Sequence, residues 1–274
     1  MERIVLGYDG SRGADAALAW VADRVRKRPA RVEVVIVANM FGADRSEVRG
    51  HLEHAERELR SQTPAFPVET HYYDGTMPRT LVDAAEGADL LVIGLSHAHP
   101  LRAALHGWMP FRISAQSSAK TCIVPESWAP RDGAVVVGLQ DDDSSLAALD
   151  VAANEARDAD CALHVVHAWA APEEPDVDGS SALAAAPAAE LAAHRAVVDA
   201  AVRRVRAAHP TLRVEGDLVR ADPVIALKDV AAESRLVVIG THQRGILAGG
   251  LLGSVAQDLI WELGAPLCVV PSAG

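Results

Sequence analysis

Apolar residues along this chain follow two alternating rhythms: short unbroken runs, and longer stretches with an apolar residue every three or four positions. The runs read as buried strands and the stretches as amphipathic helices. Ile4 to Gly7 is a run that breaks at Tyr8-Asp9-Gly10-Ser11, and from Asp15 to Arg26 the residues Ala16, Leu18, Ala19, Val21, Ala22 and Val25 recur at helical spacing. Val32 to Ala38 is a β-branched run that fits a buried strand. Ser46 to Gln62 is charged with a sparse apolar face, which predicts an exposed helix, and Val68 to Tyr73 alternates as a strand near a sheet edge does. Thr80 to Ala85 is helical, Leu90 to Gly94 is another buried strand, a loop and helix run from about His97 to Ala119, and Thr121 to Val124 closes the series.

The series then starts again. Strands are predicted at Val135 to Gly138, Leu163 to Trp169, Leu212 to Val219, Leu236 to Gly240 and Leu267 to Val270, separated by helices at Ser145 to Arg157, Glu190 to Ala208, Val224 to Glu233 and Ser254 to Leu263. Gly7 aligns with Gly138 and Leu18 with Leu149, both 131 residues apart, whereas Cys122-Ile-Val-Pro125 aligns with Cys268-Val-Val-Pro271 at 146. The 15 extra residues of the second copy fall in 170–189, a Pro-, Ala- and acid-rich stretch that reads as a surface loop. Repeats of this length mean two domains, here 1–126 and 134–274 with 127–133 as linker, since Pro130 and Gly133 punctuate that segment. Each copy has the order βαβαβαβαβ. Parallel strands joined by right-handed helical crossovers give an α/β fold of two tandem doubly wound domains, each a five-stranded parallel sheet flanked by helices.

Composition agrees with this fold. Half of the 274 residues are apolar and only 4% are aromatic, so Val, Leu, Ile and Ala must build the cores. A net charge of −11 argues against a nucleic-acid binder, although helix N-termini still attract a local anion. Of the three cysteines, Cys122 and Cys268 sit in apolar runs and read as small buried residues rather than as disulfide partners or metal ligands. No leader pattern and no apolar run of membrane-spanning length is present, which leads to the expectation of a cytoplasmic protein without membrane contact.

Open parallel sheets bind ligands beyond the carboxyl ends of their strands, where strand order reverses. After the fourth strand of copy two, Gly240, Gly245, Gly249, Gly250 and Gly253 free the backbone to bring N–H groups near an anion, and Ser254 and Val255 open the next helix. A phosphate loop and a simple Gly-rich turn capped by Ser254 both satisfy this pattern.

Larger features narrow the choice. The GYDGS turn at 7–11, the ADLLVIG strand at 88–94, the GTHQRGILAGGLLGS loop at 240–254 and APLCVVP at 265–271 resemble the universal stress protein family, and nearly the whole chain is similar to its tandem form. The resemblance implies an adenine nucleotide alpha-hydrolase-like fold and an ATP site built on G-x2-G-x9-G-[ST], with an acidic residue after the first strand. Carried onto copy two, the pattern falls on Gly240, Gln243 in place of the second glycine, Gly253 and Ser254, with Gln140 at the acidic position. Ala168, Ile239, Thr241 and Val255 flank these as implied nucleotide contacts. Gln140 retains a donor and an acceptor for a ribose or an adenine edge. On copy one the pattern gives Asp9, Val37, Gly94 and Gly107, but His97 replaces the second glycine and Trp108 the hydroxyl residue.

His97, His99 and His106 lack neighbouring carboxylates or thiolates and read as solvated loop residues, as do His51 and His54 on their helix. Asp141, Asp142 and Asp143 could hold a magnesium ion against a triphosphate, but read first as an acidic turn capping the next helix, where negative charge is favourable. No nucleophile, base and orienting group occur together, so no enzyme is expected. Three functions stay open: a stress-response protein whose partner contacts depend on ATP, bound best in copy two and with magnesium as a possible companion; a scaffold without nucleotide; and a receptor or enzyme for another small anion. The resemblance also implies that Thr121 to Val124 meets Leu267 to Val270 as a pseudo-dimer within one chain; a homodimer of chains is an open possibility.

Overall fold

A computed structural model describes residues 1–38, 44–62, 66–96, 108–140, 143–169, 188–241 and 254–271. The first copy runs β1 (Glu2–Gly7), α1 (Arg12–Lys27), β2 (Ala30–Ala38), α2 (Arg45–Gln62), β3 (Val68–Asp74), α3 (Arg79–Ala84), β4 (Leu90–Leu95), α4 (Trp108–Gln116) and β5 (Lys120–Pro125). The second runs β6 (Val135–Leu139), α5 (Asp143–Asp158), β7 (Leu163–Trp169), α6 (Ala188–Ala208), β8 (Val214–Arg220), α7 (Pro223–Ala231), β9 (Leu236–Thr241), α8 (Ser254–Glu262) and β10 (Leu267–Pro271).

Every strand and helix expected from the hydrophobic pattern is present, with ends that move where a side chain caps them. Helix α1 starts at Arg12, three residues before the periodicity becomes visible, because the Ser11 side chain accepts from the Ala14 N–H and supplies the cap. Strand β8 starts at Val214 rather than Leu212, since the Leu212 N–H is taken by the His209 carbonyl in a turn. The insertion at 170–189 lies largely outside the described residues.

All ten strands form one sheet in the order β3-β2-β1-β4-β5-β10-β9-β6-β7-β8. Every pairing within a copy is parallel, and the copies join through one antiparallel pairing of β5 with β10 that sets Ile123 opposite Leu267, Cys122 opposite Cys268 and Thr121 opposite Val269. Strands alternate their side chains between two cores. Ile4 and Leu6 face the side covered by α1, α2, α5 and α6, whereas Val5 faces α3, α4, α7 and α8. Helix α2 buries only Ala55 and Leu59, as its sparse apolar face implies.

Equivalent residues meet at the seam. Cys122 and Cys268, 146 apart, face each other as free, buried thiols; burial pushes Cys268 up to about 12 and Cys122 well above its ordinary value, so both stay protonated and unreactive. On the same side of the sheet, Arg24 of α1 meets Glu155 of α5, and these positions are 131 apart. Arg24 grips both oxygens of Glu2 at 2.8 and 2.9 Å and both of Glu155 at 2.8 Å, with its side chain only 8% exposed. Arg28 extends the network to Glu155 at 3.1 Å and Asp158 at 2.6 Å. Burial raises the Glu155 pKa, but hydrogen bonds from Arg24 and the charges of Arg24, Arg28 and Lys120 outweigh it and bring the carboxyl down to about 2.

Glu155→Ala removes one of the two partners of a buried guanidinium, and a loss of about 3 kcal/mol in unfolding free energy is expected in urea titrations at neutral pH. The pH dependence has a fixed sign. A carboxylate held at about 2 instead of 4.5 stabilises the fold fully above pH 4.5 and loses that contribution as pH falls toward 2. The stability gap between the native chain and Glu155→Gln should therefore narrow through that window and stay constant above it.

Candidate functional site

In each copy the chain leaves the first strand toward one side of the sheet and returns on the other, so strand order reverses between β1 and β4 and between β6 and β9. At the first of these crevices, Gly7 of β1 lies in register with Ile93 of β4. The turn that follows β1 is built locally. The Asp9 carboxylate accepts from the Ser11 N–H at 3.0 Å, Gly10 takes a φ of +73°, and Ser11 caps α1. A β-carbon on Gly94 would come within 2.0 Å of the Gly13 carbonyl carbon, and the Gly13 N–H donates to the Ser96 hydroxyl at 2.9 Å. The first turn of α1 is thus pressed onto the end of β4, which brings Asp9 and Gly94 to one end of the sheet. Val37 lies two residues beyond the Gly7 partner Val35 on β2 and packs partly against the α3–α4 core.

One side chain covers the turn of this crevice. His51 of α2, expected as a solvated helix residue, is half-buried with its ring over Gly10 and edge-on to Tyr8 at 6.3 Å, so a β-carbon at Gly10 would meet the imidazole at 2.4 Å. This corrects the reading of His51, and the cause is the missing side chain at Gly10, which leaves space that a ring on the neighbouring helix fills. His54 is also half-buried, 4.0 Å from Asp15. Asp15 in turn accepts from the Tyr8 hydroxyl at 2.5 Å; burial and that carboxylate raise the phenol pKa. Trp108 opens α4, as the alignment of the motif predicts, and one carboxylate oxygen of Glu126 after β5 is buried without a hydrogen-bond partner among the described residues. His97, His99, Arg102, His106 and Gly107 lie outside the described residues.

The second crevice has different chemistry. Gly138 lies in register with Ile239, and the exposed Gln140 follows β6. The peptide between Leu139 and Gln140 is held from both sides: the Gln140 N–H donates to the Ser145 hydroxyl at 2.8 Å, and the Leu139 carbonyl accepts from Nδ1 of His167 at 2.9 Å. A carbonyl can only accept, so Nδ1 of His167 carries the hydrogen and, in the neutral ring, Nε2 accepts from His194 at 2.9 Å. His194 of α6 stacks on Trp169 at 4.9 Å, and the Arg220 guanidinium lies over the same indole at 5.4 Å. Copy one has Ile36 at the position of His167. Neither His167, His194 nor Trp169 was singled out in the sequence; a histidine at a core position of the Leu163 to Trp169 run was the available signal.

Other predicted contacts of copy two separate by burial. Gly240 and Ala168 are partly exposed at the ends of β9 and β7, whereas Ile239 and Thr241 are buried and the Thr241 hydroxyl donates to the Val270 carbonyl at 3.4 Å. Ile239 and Thr241 thus serve the sheet with their side chains and offer a ligand only backbone. Ser254 opens α8 with Val255 behind it, as expected, while Gln243, Arg244, Gly253, Asp141 and Asp142 fall outside the described residues. Among the described residues, no three His, Cys, Asp or Glu side chains gather as a metal would need.

The sequence profile of the universal stress protein family matches residues 1–109 and 133–271. The chain belongs to that family. A universal stress protein of Mycobacterium tuberculosis is 26% identical and one of Mycolicibacterium smegmatis 24% identical, each over 97% of this chain and 96% of its own length. The structure of a universal stress protein from Archaeoglobus fulgidus superposes with a TM-score of 0.71 at 16% identity, covering 99% of this chain and 98% of that one. One from Pseudomonas aeruginosa gives 0.65 at 18% identity, covering 99% and 93%. These two neighbours share the fold of this universal stress protein. Among the described residues no helix is long and apolar enough to cross a membrane.

Two substitutions test how the crevices are built. Gly94→Ala should lower the thermal midpoint sharply, with a cost of about 3 kcal/mol, because the added methyl drives the first turn of α1 off β4. His167→Ile installs the residue of copy one but leaves the buried Leu139 carbonyl unpaired, and a loss of about 1–3 kcal/mol is expected by chemical unfolding.

Proposed function

We propose that this universal stress protein binds an adenine nucleotide, ATP foremost, in the crevice between β6 and β9, and that occupancy regulates its association with other proteins under stress. The observation that carries this reading is the convergence at one strand-order reversal of three elements: the exposed Gln140, the partly exposed Gly240, and α8 opening at Ser254 directly after the glycine-rich segment. Phosphate is attracted to the free N–H groups of such a helix start. The Gln140 N–H is already engaged by Ser145, so the side-chain amide is what remains for the nucleoside end. The described residues fit the group. Ala168 and Gly240 leave room near the sheet, and the Gln140 amide offers both a donor and an acceptor where the family pattern has an acid.

Magnesium arriving with the triphosphate would be held chiefly by phosphate oxygens, with the Asp141 to Asp143 turn as the nearest protein carboxylates in sequence. Binding rather than turnover is the proposed role, in line with the sequence pattern, where no nucleophile, base and orienting group occur together. Copy one fits a structural role, favoured by the His51 ring over Gly10 and by Trp108 at the start of α4.

Chromatography of the denatured protein should release adenine nucleotide, and calorimetry of the stripped protein should show one ATP per chain. Gly253→Asp should abolish that binding. Gln140→Ala should weaken it about fivefold to tenfold, the equivalent of one hydrogen bond. Absence of both co-purified nucleotide and heat at millimolar ATP favours the scaffold reading.

A further inference from the structure

A cavity of about 180 Å³ lies against the ion network that joins the copies, walled by α1, by the linker after β5, and by the ends of α5 and the starts of β6 and β9. Its charged lining is mostly matched. Arg24 and Arg28 are taken by Glu155 and Asp158, and Lys27 by Asp23. Four donors are not matched. Arg235 is half-buried, and its guanidinium has no hydrogen bond or ion pair among the described residues; Arg131 spends one N–H on the Ala232 carbonyl at 3.1 Å. The indole N–H groups of Trp20 and Trp128 also have no acceptor among the described residues and are open to solvent, and the Arg24 guanidinium lies over the Trp20 ring at 5.4 Å. Against these stands one exposed acceptor in the lining, Asp132.

This is an unusual balance for a chain with 37 acidic and 26 basic residues, in which a half-buried arginine ought readily to find a carboxylate. Guanidinium and indole groups donate and cannot accept, so a ligand that meets all of them carries acceptors, and the guanidinium charge favours an anion. Size and wall material narrow it further. An apolar cavity of roughly 150 Å³ accommodates one benzene ring, and indole edges of Trp20 and Trp128 form part of the wall of this one.

We propose that the cavity is a second ligand site, separate from the nucleotide crevices, for a small organic anion consisting of a carboxylate carried on a single apolar ring. Arg235 and Arg131 take the carboxylate, and Trp20 and Trp128 hold the ring. Because α1 belongs to the first copy and Arg235 to the second, the ligand bridges the two copies and adds to the Arg24–Glu155 linkage.

Benzoate is the probe, with benzyl alcohol supplying the ring without the charge and inorganic phosphate the charge without the ring. A nine-atom ligand of ordinary efficiency is expected to bind with a dissociation constant on the order of 1 mM, and both controls at least about tenfold more weakly. Arg235→Gln, which should leave the unfolding midpoint of the ligand-free chain unchanged, and Trp128→Leu should each weaken benzoate by about tenfold or more. In the native chain, benzoate should shift two indole N–H resonances, a readout that does not depend on either variant folding. The proposal is overturned if benzoate gives neither heat nor indole shifts, if phosphate or benzyl alcohol binds as well as benzoate, or if folded Arg235→Gln binds benzoate like the native chain.

Discussion

A guanidinium buried to 8% side-chain exposure is tolerable only where carboxylates surround it, and Arg24 meets that condition with one residue from each copy. Glu2 comes from the first strand of its own copy and Glu155 from the other, so neither half alone supplies the full pairing. Beneath this network β5 and β10 pair antiparallel, turning two five-stranded sheets into one of ten strands and removing two exposed edges. Hydrogen bonds of the ladder set the register, and the ion network holds the helices in line with it.

A pseudo-twofold arrangement makes equivalent positions meet, which is harmless for Cys122 and Cys268 because neutral thiols do not repel. Position 24 and its equivalent at 155 are a harder case. Two arginines or two glutamates there would be buried like charges, and the chain carries one of each. Asymmetry at the axis is therefore a requirement of the joined fold. The crevices are released from that requirement, and they have diverged: His51 covers the turn of one, whereas His167 and Ser145 hold the corresponding peptide of the other in place. Two copies in one chain can thus hold the same turn with different side chains.

Much of the site was legible because it rests on glycine and on strand ends. The break after Gly7 and the run of glycines after Gly240 mark where backbone leaves the sheet, and the structure brings Asp9 and Gly94 to one end of the sheet and sets Gln140 after the strand paired with Leu236–Thr241. What remained hidden depends on side chains reaching across elements distant in sequence. His51 looked like one more polar residue on an exposed helix until the gap over Gly10 received its ring. His167 was read as part of an apolar strand, and only the Leu139 carbonyl 28 residues away explains a buried imidazole there.

Local pattern and internal repetition determined, without coordinates, the elements, their parallel order and the likeness of the two halves, because period and offset are properties of the chain itself. The joining of the last strands followed from family likeness and was confirmed by their register. Tertiary structure alone decided which equivalent residues face each other at the axis, which polar groups are buried, and which donors around Arg235 have no acceptor among the described residues. Those outcomes depend on distances between segments remote in sequence, and such distances are fixed only when both cores pack at once.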